Sequence, residues 1–194
     1  MTRRLALLTL ALSGAGQAAT LTVDARGADG RALPGAVVSL EVPGLPPAVP
    51  RGPYVVAQRN ISFDPRVLVV PVGATVAFPN QDKVRHHVYS FSRPKRFELK
   101  LYGREEARQI VFDKPGPVAL GCNIHDRMSG LIYVTPHRFA AAADGAGRVS
   151  FAGVPRGRAT VLVWDPSIRA PGNLFRQPVE LASDGTTAAV ITAR

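Results

Sequence analysis

The 194-residue chain reads as all-β, with short strands packed into two sandwiches. Three observations carry this. After the N-terminus, short runs of Val, Leu, Ile, Phe and Thr alternate with Gly, Pro and Asp turns, the pattern of half-buried strands. Helical periodicity is nearly absent, and brief helices are expected only at residues 104–108 and 139–143. Finally, removing an N-terminal leader leaves about 175 residues, more than one small sandwich needs, so a second unit is expected.

The leader comes first. Met1-Thr2-Arg3-Arg4, an apolar run over residues 5–12, and Ser13-Gly14-Ala15-Gly16-Gln17-Ala18 form the three regions of a secretory signal peptide, with cleavage expected after Ala18. Residues 1–18 are thus read as a signal peptide, and the mature protein as periplasmic or otherwise extracytoplasmic. The apolar run is too short to be a mature anchor, so no transmembrane span is expected in the mature chain. Loss of Arg3 and Arg4 lowers the formal charge from +10 to +8. A basic surface favours an acidic partner and faster encounter with it at low salt. Nucleic acid is not expected, because the basic residues are scattered and no aromatic-basic recognition motif accompanies them. Cys122 is the single cysteine, which leaves a free thiol, an intermolecular bond or a metal ligand.

Residues 21–40 read as strand, Asp29-Gly30 turn and strand, and the Pro-rich residues 43–50 as a linker. Strand-forming text follows over residues 58–64 and 67–80. It leads into Asn80-Gln81-Asp82-Lys83-Val84-Arg85-His86-His87-Val88, and later into Gly121-Cys122-Asn123-Ile124-His125-Asp126-Arg127-Met128. The second motif puts a thiolate, an imidazole and a thioether on one short loop. With a remote histidine they make the two-His, Cys and weak axial Met set of a blue-copper electron-transfer site. Zinc is the rival, with His137 or Asp126 as a fourth donor, but a thioether at the matching position suits copper and not zinc.

Residues 54–135 resemble a cupredoxin, the plastocyanin and amicyanin family of small copper proteins with a Greek-key β-sandwich. The Cys122, His125 and Met128 spacing is most similar to the amicyanin ligand loop, and Pro71-Val72-Gly73-Ala74-Thr75-Val76-Ala77-Phe78 is similar to a family turn. The resemblance implies one type 1 copper ion per chain, held by His86, Cys122, His125 and Met128. It implies His86 as the first histidine ligand, with His87 in the place usually held by Asn. Either neighbour can offer an imidazole, but adjacent strand residues point to opposite faces, so only one of them can face the metal. It further implies that His125 lies near the surface, beside a patch drawn from Pro94, Met128 and Gly130 with Arg127 at its rim. Asn80 or Asn123 is expected to link the two ligand loops.

The remaining text, residues 143–164, repeats the strand, Asp144-Gly145 turn and strand logic of residues 21–40. Together the two pieces resemble the halves of a carboxypeptidase-regulatory, transthyretin-like β-sandwich. Residues 20–42 and 139–194 are therefore expected to form one discontinuous unit, with the cupredoxin-like region inserted between about 43 and 135. The alternative is that 20–42 extends the edge of the first sandwich and 139–194 stands alone.

No Ser-His-Asp arrangement and no purposeful carboxylate pair is present, so an enzyme is not expected. Two function classes follow. One is a one-electron carrier between redox partners such as a dehydrogenase, a cytochrome or an oxidase. The other is a copper-binding or delivery protein in which the metal is cargo.

Overall fold

A computed structural model describes residues 18–181 and 186–192. The expected signal peptide lies outside the described residues except for Ala18, which opens the first strand. In chain order the strands are β1 (Ala18–Arg26), β2 (Val37–Glu41), β3 (Tyr54–Val55), β4 (Ala57–Arg59), β5 (Ser62–Asp64), β6 (Val67–Pro71), β7 (Ala74–Pro79), β8 (His86–Ser92) and β9 (Lys95–Tyr102). They continue as β10 (Ala107–Phe112), β11 (Gly116–Gly121), β12 (Ser129–Thr135), β13 (Phe139–Ala142), β14 (Arg148–Pro155), β15 (Gly157–Trp164), β16 (Leu174–Leu181) and β17 (Thr186–Thr192). Among the described residues the only helical element is a 3-10 turn at Pro171–Asn173.

Both expected helices are corrected. Ala107 to Phe112 pairs antiparallel with β7, and Phe139 to Ala142 pairs antiparallel with β2. Alanines at 140–142 favour a helix locally, but so short a run cannot meet the cost of helix nucleation, while pairing with β2 satisfies the backbone groups along one edge of the strand.

Two sheets enclose the core around the candidate metal loop. One has five strands in the order β6-β12-β11-β8-β9, the other three in the order β10-β7-β3. Alternation along the strands sends Val76 and Phe78 of β7, Phe112 of β10, Val88 of β8, Val118 and Leu120 of β11, and Ile132 and Val134 of β12 into one shared cluster. Cys122 and Met128 belong to that same cluster, so the apolar core reaches the metal loop without a break.

A second pair of sheets, β14-β1-β17 and β13-β2-β15-β16, encloses a separate core of Leu21, Val23, Val38, Leu40, Val149, Phe151, Val161 and Val163 among others. Here β1 pairs antiparallel with β14 and parallel with β17, while β2 lies between β13 and β15. The two sandwiches touch through Tyr133 of β12 and Trp164 of β15, whose rings are 5.3 Å apart.

Candidate metal centre

The site forms where three strand ends meet at one pole of the first sandwich. His86 opens β8, Tyr102 closes β9 opposite it, and Cys122 follows directly on β11. Between His86 and Val88 the register with β9 shifts, so three steps on β9 span two on β8. Such a bulge re-aims side chains beside a site. After Cys122 the chain turns back at once, with Met128 N–H donating to His125 C=O at 2.9 Å, and this turn folds the His125 ring over the thiol.

One ligand atom each from His86, Cys122 and His125 lies within 4.8 Å of the others. Cys122 Sγ is 3.8 Å from His86 Nδ1 and 3.6 Å from His125 Nδ1. The two imidazole rings are 4.9 Å apart, centroid to centroid. His86 and Cys122 are buried, whereas His125 is half-buried and neighbours the exposed Ile124. A thiol and two imidazoles presented in this way suit a soft or borderline metal ion.

Beneath the cluster lies a polar frame. Asp82 Oδ2 accepts His86 Nε2–H at 2.8 Å, and the same carboxylate accepts Asn60 N–H at 2.7 Å and Ile61 N–H at 2.9 Å. Burial alone would raise the Asp82 carboxyl, but these hydrogen bonds outweigh it and hold it below the ordinary carboxylate value. Asn80 accepts Asp82 N–H at 2.8 Å and donates to the carbonyls of Val84 and Tyr102 at 2.8 and 3.1 Å, which fixes the 80–85 loop to the end of β9. Tyr102 O–H donates to Phe78 C=O at 2.6 Å, and Gln58 donates to both of those oxygens. Burial pushes the Tyr102 phenol up to about 12.

The other residues expected from the sequence fall in several places. His87 turns away from the cluster and donates Nε2–H to Glu98 at 2.8 Å. Met128 is 1 % exposed and belongs to the same core cluster as Cys122. Neither proposed zinc donor joins the cluster: Asp126 is exposed, and His137 lies near Leu40 and the Pro43–Pro47 segment, where burial lowers its imidazole. Pro94 is corrected as a patch residue, because it contacts Gly116, at the end of β11 away from Cys122. Asn80 links its own loop to β9 rather than to the Cys122 loop, and Asn123 is exposed. Sequence reasoning missed the Asp82 carboxylate, because i, i+4 spacing marks neighbours on a helix whereas Asp82 lies in a loop and His86 on a strand.

An all-β sandwich with a His-Cys-His cluster at one pole is the class of protein that the fold and the geometry define. No family model matches the chain, and no curated protein matches its sequence. Among solved structures, the chain is similar to a Cu-containing nitrite reductase from Thermus scotoductus, at 34% identity and a TM-score of 0.41. That match covers 47% of this chain but only 25% of the reductase chain. It is similar also to a purple cupredoxin from Nitrosopumilus maritimus, at 24% identity and a TM-score of 0.40, over 43% of this chain and 100% of that one. A Cu(I) amicyanin variant is 25% identical with a TM-score of 0.40, over 50% of this chain and 99% of that one.

Proposed function

We propose that the chain is an exported type 1 copper protein that carries single electrons between redox partners. The convergence of His86, Cys122 and His125 within 4.8 Å carries this reading. In it, His86 Nδ1, Cys122 Sγ and His125 Nδ1 hold the ion, and the buried Met128 thioether is the weak axial donor. Copper bound there supplies a one-electron couple that this donor set accommodates in both oxidation states. The apolar core runs up to Cys122 and Met128 and leaves the thiol largely buried, and the half-buried His125 lies where a partner can approach. The donor set favours copper over zinc, because no fourth nitrogen, carboxylate or second thiolate stands with the three among the described residues. The basic charge suits an acidic dehydrogenase, cytochrome or oxidase as partner, and the leader-like N-terminus an extracytoplasmic location.

Two sandwiches divide the labour. Residues 54–135 form the copper unit, inserted into a transthyretin-like sandwich made of 20–42 and 139–194. The pairing of β1 with β14 and of β2 with β15, around a core separate from that of the copper loop, supports this division. Limited proteolysis within residues 44–53 tests it. The N-terminal piece should stay bound to the C-terminal one after cleavage; its release under native conditions would contradict the division.

The carrier reading is tested by voltammetry of the copper-loaded protein with a chelator present. Reversible one-electron waves with copper retained through many cycles are expected. Rapid loss of copper to the chelator in the reduced state would point instead to copper delivery.

A further inference from the structure

Resting on the copper reading above, we infer that Asp82 is a positioning residue for the metal centre: it fixes the tautomer of His86 and strengthens the nitrogen that faces Cys122. A carboxylate can only accept, so the 2.8 Å contact with His86 Nε2 places the ring proton on that nitrogen. In the neutral ring the lone pair is then on Nδ1, the atom that looks toward Cys122 Sγ. His86 is fully buried, so it has no water to exchange Asp82 for, and its orientation follows the carboxylate.

The carboxylate is itself anchored. Arg59 pairs with Ser62 across a two-residue hairpin turn, Asn60 and Ile61, whose φ angles are 52° and 55°. Asn tolerates this left-handed conformation, but it is costly for the β-branched Ile61. Both N–H groups of that turn point at Asp82, and this offsets the strain. The hairpin tip, Asp82 and His86 thus form one unit in which the backbone orients a carboxylate and the carboxylate orients a metal ligand. Such carboxylate-histidine pairs raise ligand basicity. A more basic donor and a nearby negative charge both favour the oxidised ion, so the Asp82 pairing lowers the reduction potential.

Two variants test this. Asp82→Asn removes the charge while keeping an acceptor, and Asp82→Ala combined with Ile61→Gly removes the contact while relieving the turn, so that folding survives. Nitrogen NMR of the metal-free protein, at a pH where the ring is neutral, should show His86 as the Nε2–H tautomer in the wild type and lose that preference in the Ala/Gly variant. Copper(II) affinity should fall about 10- to 100-fold, and the reduction potential should move upward in both variants. A wild-type ring protonated on Nδ1, or unchanged affinity and potential in both variants, would overturn the assignment. Should the wild type take up no copper, the copper reading fails, and the metal-free tautomer measurement still decides the role of Asp82.

Discussion

At the residue scale, two adjacent imidazoles are separated by what each nitrogen faces. His86 offers Nδ1 to the thiol and is held from behind by Asp82; His87 spends Nε2 on Glu98. His86→Gln should therefore lower copper(II) affinity by more than about 100-fold, above the range for outer-shell changes, while His87→Gln should leave it within a few-fold. Isothermal titration reads both, and the reverse order would exchange the two assignments. The closeness of Cys122 and His125 was legible in the sequence because their donor chemistry is rare and their spacing short. Asp82 was not, because a carboxylate in a polar loop looks like any turn residue until the register brings residues 60 and 61 alongside it.

At the element scale, the strand pair β8–β11 forms the wall behind the thiol. Tyr89 lies opposite Gly121, and a Cβ at residue 121 would sit 2.7 Å from Tyr89 Cζ. The aromatic ring rests on the bare backbone one residue before Cys122. Gly121→Ala should cost about 1–3 kcal/mol through overpacking, read by urea unfolding of the metal-free protein. The same change in a Tyr89→Ala background should cost markedly less; an equal cost in both backgrounds would place the strain elsewhere. Most strands were legible from their residue pattern, as in β1, where Leu21, Val23 and Ala25 alternate with Thr22, Asp24 and Arg26, and the structure buries every second residue from Ala19 to Ala25. The misread segments, 104–108 and 139–143, were short and rich in helix-favouring residues, and their strand partners lie far away in sequence.

At the scale of the whole molecule, two cores share one chain, and long-range pairs hold its ends together. Arg148 of β14 donates to Asp24 of β1 through Nε at 2.7 Å and through Nη2 at 3.1 Å. Those hydrogen bonds hold the Asp24 carboxyl below its ordinary value of 3.8. A depressed carboxyl stabilises the fold at pH above that ordinary value, and the contribution disappears as pH falls through the folded value. Arg148→Met should therefore lower the melting temperature slightly at neutral pH, and the difference from wild type should vanish in acid. A difference independent of pH would mean that Arg148 acts by packing alone. The strand-turn-strand text at both ends of the chain was readable in advance. The parallel pairing of β1 with β17 was not, because nothing local in either segment encodes a partner some 165 residues away.

The central claim, that His86, Cys122 and His125 hold copper in a type 1 site, is tested most directly by adding copper(II) to the purified protein. Visible absorption and electron paramagnetic resonance are then recorded together, with Cys122→Ser as control. An intense thiolate-to-copper band with narrow parallel hyperfine splitting, absent from the Ser variant, is predicted. A colourless protein, or an ordinary type 2 signal that survives Cys122→Ser, would contradict it.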